Sequence, residues 1–167
     1  MPNNLKIYTV LSYLLIPIAL LFGFLDIIFL LSSLGNPSAL IIVFILACFE
    51  IYTFTSFRFL KQGIEREQVQ STKLKDWIKV NAFVSLFLCS LFFINSISLL
   101  IMASDTLIKM IDELLLQQPG MPKEITSAML IPYFKGLAVL LLITGIIGIV
   151  HIRTTLRLVK QHEHLFE

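Results

Sequence analysis

Four stretches of this chain are long enough and apolar enough to cross a lipid bilayer as helices. A helix needs about 20 apolar residues to cross the roughly 30 Å hydrocarbon layer. The sequence predicts four such spans, at about residues 7–34, 38–60, 77–104 and 129–152, with a tight turn at Gly35, Asn36 and Pro37 between the first two. We therefore expect an all-α fold in which residues 1–167 form one integral membrane four-helix transmembrane bundle.

The composition excludes the other broad classes of protein. Of the 167 residues, 57% are hydrophobic and 14% are charged, whereas soluble domains carry about 25% charged residues. A soluble domain of this size has no place to bury so much apolar surface. The formal net charge of +2 is too small to indicate a nucleic-acid partner. The lipid bilayer is the expected surrounding.

The distribution of basic residues predicts the orientation, because positively charged side chains resist translocation across the membrane. Ten of the 13 Lys and Arg residues fall on one side, in the N-terminus, the loop 61–76 with its flanks, and the tail 153–167. We expect these parts, including both termini, to be cytoplasmic. The remaining three basic residues are Lys109, Lys123 and Lys135.

The segment 105–128, between the third and fourth spans, is expected on the outer side. Apolar residues recur at spacings of three and four from Leu107 to Leu115, which indicates an amphipathic helix. The following residues, Gln118 to Pro122, contain two prolines and a glycine and predict a turn. The segment therefore forms an extracytoplasmic helical hairpin or a surface helix, or it is an element that docks a partner or acts as a gate.

Two opposite charges lie near the outer ends of predicted spans. Asp26 stands 20 residues above Lys6, and Lys135 stands 18 residues above Arg153. At about 1.5 Å per residue, these counts place both charges at similar heights. They form an interhelical ion pair, or each side chain extends separately to the outer interface.

Glu50 lies deep in the second span, with no basic residue at its estimated level. Burial disfavours the charged form of a carboxyl group. A protonated Glu50 would either hold helices together through hydrogen bonds or serve as a proton- or cation-coupling site. The same estimate of height gives its candidate neighbours, of which Tyr13 and Thr144 complete a candidate intramembrane polar site: Tyr13, Ser85, Cys89, Ser90 and Thr144.

Nothing in the sequence indicates an enzyme. We find no catalytic constellation, no metal-ligand motif and no cofactor-binding motif, and His151 at the cytoplasmic edge is weak evidence for a haem ligand. We expect a non-enzymatic interaction, accessory or structural subunit in a cell membrane, of the bacterial inner-membrane type, with a membrane-protein partner or a second copy. The alternative is an oligomeric proton-coupled small-solute transporter or channel that uses Glu50.

Overall fold

The computed structural model describes residues 3–117 and 126–167, and these residues are almost entirely helical. Helix makes up 89% of the structure and the described residues contain no strand, so the predicted all-α class is confirmed. Three short helical turns, at Pro37–Ala39, Phe59–Ile64 and Glu163–Leu165, adjoin the main helices. The five α-helices are α1 (Asn3–Ser33), α2 (Leu40–Arg58), α3 (Thr72–Ile101), α4 (Ser104–Leu116) and α5 (Ser127–Gln161).

Four of the helical segments are long and apolar enough to cross a membrane, as the sequence predicts. They are Leu5–Ser33, Pro37–Ile64, Thr72–Ile101 and Ser127–Gln161. Helix α5 continues through residues 153–161, where the sequence predicts a cytoplasmic tail. The predicted turn between the first two spans is also present: the Asn36 side chain accepts a hydrogen bond of 3.1 Å from the backbone N–H of Ser38.

The four long helices pack in a ring, in which α1 contacts α2, α2 contacts α3, α3 contacts α5 and α5 contacts α1. Helix α4 is the amphipathic helix expected after the third span. It packs against α5 and buries Leu107 and Ile111. The predicted turn at residues 118–122, and with it the second arm of the hairpin up to residue 125, lies outside the described residues.

Helices α3 and α5 approach closely because α5 carries glycines at the crossing. A Cβ added to Gly145 would lie 2.8 Å from the backbone oxygen of Cys89 and 3.1 Å from the backbone nitrogen of Phe93. Small residues let membrane helices approach until their backbones nearly touch. Gly148, one turn farther along α5, adds to this close approach, since a Cβ there would clash with the thiol of Cys89.

The C-terminal residues bind the loop between α2 and α3 at one end of the bundle. The backbone N–H of Gln70 donates to the carbonyl of Leu165 at 2.6 Å, and the N–H of Glu167 donates back to Gln70 at 3.0 Å. The ring of Phe166 stacks on that of Phe59, with centroids 5.2 Å apart. Lys75 forms an ion pair with Glu163 and lowers the pKa of that carboxyl group.

The glycine crossing predicts a difference between two alanine substitutions in α5. Gly145→Ala forces a methyl group against the α3 backbone, so it should destabilise the bundle by about 1–3 kcal/mol. The matched control is Gly136→Ala, where an added Cβ meets nothing within 4 Å. Thermal unfolding in detergent should show a lower midpoint for Gly145→Ala and an unchanged or slightly higher midpoint for Gly136→Ala. Equal midpoints would contradict the close α3–α5 contact.

Candidate functional site

A fully buried polar cluster joins three helices around His151. Its imidazole Nε2 lies 2.8 Å from the hydroxyl of Ser12 on α1, and Nδ1 lies 2.7 Å from the hydroxyl of Tyr52 on α2. The Tyr52 hydroxyl also lies 2.8 Å from that of Thr155 on α5. We call this the His151 cluster; its members, none more than 1% exposed, are Tyr8, Ser12, Tyr52, Ser56, His151 and Thr155.

The hydrogen bonds around His151 indicate which of its ring nitrogens donates and which accepts. The Ser12 hydroxyl donates its one hydrogen to the backbone carbonyl of Tyr8 at 2.8 Å, so it accepts from His151 Nε2. A neutral imidazole with its hydrogen on Nε2 then accepts at Nδ1 from the Tyr52 hydroxyl. Every polar atom of the imidazole is thereby satisfied without a charge.

Tyr8 closes the cluster on one face of the imidazole. Its ring stacks on that of His151, with centroids 4.9 Å apart, and its hydroxyl donates to the backbone carbonyl of Ser56 at 2.9 Å. Through these contacts α1 is fixed to both α2 and α5. An arrangement whose polar atoms are all occupied by one another is suited to holding helices in register.

A second polar group lies where α1 and α2 meet farther along the bundle. The carboxyl group of Glu50 packs against the backbone of Gly23, and a Cβ added there would lie 3.3 Å from Glu50 Cδ. Asp26 lies three residues after Gly23, on the same face of α1. Asp26 Oδ1 and Glu50 Oε1 are both buried atoms without a hydrogen-bond partner. We call these two residues the carboxyl pair.

Asp26 lies on the face of α1 that packs against Glu50, and it forms no ion pair with Lys135. The two ion pairs recorded within residues 3–117 and 126–167 are Lys61–Glu65 and Lys75–Glu163. Neither contains Asp26 or Lys135. The two carboxyl groups that the sequence assigns to different levels therefore lie at the same contact between α1 and α2.

Within the described residues, neither Tyr13 nor Thr144 forms a hydrogen bond with Glu50. The ring of Tyr13 contacts that of Phe57, with centroids 5.4 Å apart, and the ammonium of Lys61 lies 5.0 Å from the centroid of the Tyr13 ring. The Thr144 hydroxyl donates to the backbone carbonyl of Leu140 in its own helix. The proposed polar site of Glu50, Tyr13 and Thr144 is therefore not assembled.

The predicted and observed neighbours of Glu50 differ because α1 and α2 are offset along their axes. The heights in the sequence were counted from Lys6 in α1 and from Arg58 in α2, as if both residues marked one plane. Because Tyr13 faces Phe57, Lys6 lies seven residues, or roughly 10 Å of helix, beyond that level toward the N-terminal end of α1. The same offset places Gly23 opposite Glu50.

The His151 cluster was not predicted, although the sequence carries a signal for it. Three of the apolar spans each carry two polar side chains four residues apart, a spacing that places them on one face of a helix. The pairs are Tyr8 and Ser12, Tyr52 and Ser56, and His151 and Thr155. Facing pairs of this kind on separate spans indicate a polar contact between helices.

Comparison with known proteins identifies no relative of this arrangement. No family model, no curated protein and no solved structure matches the chain. Within the described part of the chain, no group of three His, Cys, Asp or Glu side chains is placed to hold a metal ion.

The His151 cluster predicts that removing the imidazole destabilises the bundle. His151→Ala leaves the buried hydroxyls of Ser12 and Tyr52 without their partner and opens a cavity, which should lower the stability by about 2–4 kcal/mol. His164→Ala is the control, since His164 is exposed. Thermal unfolding in detergent should show a lower midpoint for His151→Ala alone, and equal midpoints would contradict the structural role of the cluster.

Proposed function

We propose that the protein is a four-span membrane protein whose termini and middle loop face the cytoplasm. The four apolar helices supply the spans, and the excess of Lys and Arg at one end of the bundle supports this orientation. Its small size and short loops favour a bacterial inner membrane as the location.

Within that topology, we propose that the protein is a non-enzymatic interaction or accessory subunit that docks a transmembrane helix of another protein. The observation that carries this proposal is the uneven packing of α1. In its first half, Tyr8, Leu15, Ala19 and Phe22 are buried at intervals of three to seven residues. After Phe22, α1 buries no residue until Ser33.

The outer halves of α1 and α2 thus present a broad apolar surface, which we call the outer α1–α2 surface. Its most exposed large side chains include Phe24, Leu31, Ile41 and Phe44, each more than 60% exposed. Membrane helices associate by close van der Waals packing and by hydrogen bonds between helices. A helix of a partner protein seated here would extend the dense packing of the inner half to the outer half.

The composition of the complex in native membranes tests this function. We expect extraction in mild detergent to yield a particle that contains this chain and a different protein at fixed stoichiometry. A photoreactive residue at Leu31, on the outer α1–α2 surface, should cross-link to that protein. A photoreactive residue at Phe83, which is 77% exposed on the inner half of α3, is the control and should not. A particle made only of copies of this chain would overturn the proposal.

A second candidate function is a proton-coupled transporter or channel in which the carboxyl pair exchanges the proton. The observation that favours it is the placement of Asp26 on the face of α1 that packs against Glu50, with buried oxygen atoms that no side chain satisfies. Carboxyl groups at membrane depth are a feature of proton relays and carriers. Two carboxyl groups on facing helices at this depth disfavour each other's charged form, because like charges that lie near each other repel.

Proton flux into liposomes separates the two functions. If the carboxyl pair carries protons, the wild-type protein should dissipate an imposed pH gradient, and both Glu50→Gln and Asp26→Asn should reduce this flux to background, since an amide releases no proton. Glu113→Gln removes an exposed carboxyl group on α4 and should leave the flux unchanged. Absence of flux in the wild type, or equal flux in all variants, would contradict the transporter. If the protein is an accessory subunit, Glu50→Gln should have almost no effect in this assay.

A further inference from the structure

Two arginines line a groove between the N-terminal part of α1 and the C-terminal part of α5. Arg153 and Arg157 lie one turn apart on α5, and the groove beside them has a volume of about 280 Å³. Thr154 and Gln161 add polar side chains to the same wall, and Ile7 of α1 lies on the opposite side. We call this the arginine groove.

Neither guanidinium is neutralised by the chain itself. Within residues 3–117 and 126–167, Arg153 and Arg157 take part in no ion pair, and both side chains are exposed. A guanidinium carries five N–H donors in a planar fork, which matches the geometry of a phosphate. Two such forks at one-turn spacing form a site for an anion with several oxygen atoms.

The depth of the groove in the membrane favours a lipid as the source of that anion. Helix α5 has 35 residues, or roughly 52 Å, so it extends well beyond the roughly 30 Å hydrocarbon layer. The apolar side chains of Ile7 and Val150 line the groove together with the two arginines. The groove thus combines apolar contacts for an acyl chain with cations for a headgroup, as sites between transmembrane helices for anionic lipids do.

We propose that the arginine groove binds the phosphate headgroup of an anionic phospholipid of the phosphatidylglycerol class from the cytoplasmic leaflet. The two guanidinium groups bind the phosphate oxygens, and the side-chain amide of Gln161 donates a hydrogen bond to the headgroup. The acyl chains lie against Ile7 and Val150. This inference rests on the proposed membrane topology.

A second basic groove, between α3 and α5, supplies a matched comparison. Its volume is about 380 Å³, and Lys75, Lys79 and Lys160 line it together with Glu163. There Glu163 is paired with Lys75, so part of the positive charge is already compensated. Removing two lysines from this groove removes as much charge from the same end of the bundle as removing two arginines from the arginine groove.

Native mass spectrometry of the detergent-solubilised protein tests the proposal, with phosphatidylglycerol and phosphatidylcholine of identical acyl chains as titrants. We expect one phosphatidylglycerol to bind more tightly than phosphatidylcholine. The double variant Arg153→Gln/Arg157→Gln should weaken this binding by about tenfold to thirtyfold, the effect of losing two basic side chains at an anionic site. Lys79→Gln/Lys160→Gln should change it less than threefold, and added inorganic phosphate should not displace the lipid.

Three results would overturn the proposal. They are unchanged lipid binding in the double arginine variant, an equal loss in the lysine control, which indicates a diffuse charge effect, and displacement by phosphate, which indicates a free anion as the ligand. Arg153→Lys/Arg157→Lys keeps the charge and the fold, and we expect it to bind phosphatidylglycerol with intermediate affinity. Recovery of the wild-type protein without detergent would instead refute the membrane topology, so the two failures are distinguishable.

Discussion

The structure depends on the hydrogen bonds that His151 makes to two other helices inside an apolar core. Lipid chains are as apolar as the side chains of the spans, so burial alone gives membrane helices little preference for one register over another. The His151 cluster supplies that preference, because Ser12 and Tyr52 find their partner in only one alignment of α1, α2 and α5. The glycines of α5 fix α3 by a different means, close contact between backbones. Together, the two contacts define the inner half of the bundle.

In the described residues, the outer half of the bundle has no comparable hydrogen-bonded cluster between helices. The carboxyl pair lies near the boundary between the two halves. Phe22 is the last residue before this boundary that α1 buries, and Gly23, which follows it, packs against Glu50. A polar group without a partner is stable in such a place only if it is protonated or if another molecule supplies the hydrogen bond. A proton-coupled transporter would use the protonated state. In an accessory subunit, the partner helix would contribute the hydrogen-bond donor. The same feature of the structure thus connects both candidate functions.

The sequence was sufficient to predict the spans, the turn at Asn36 and the amphipathic helix α4, because length and periodicity encode these features locally. It was not sufficient to predict which residues meet between helices. Helices α1 and α2 are apolar on nearly all faces, so their hydrophobic pattern does not mark the side that faces inward. The offset between Lys6 and Arg58 is also a property of the packed helices, and it moved Tyr13 to Phe57 and Gly23 to Glu50. The polar pairs spaced four residues apart, such as His151 and Thr155, were the available signal for the cluster.

The sidedness of two exposed glutamines tests the central claim most directly, namely that the spans cross the membrane with the His151 end facing the cytoplasm. Gln68, in the α2–α3 loop, and Gln117, after α4, are both exposed, whereas the native Cys48 and Cys89 are buried. We predict that a membrane-impermeant maleimide labels Gln117→Cys in intact cells and labels Gln68→Cys only after permeabilisation. The reverse pattern would contradict the orientation, and labelling of both residues from one side would contradict a membrane crossing by α3.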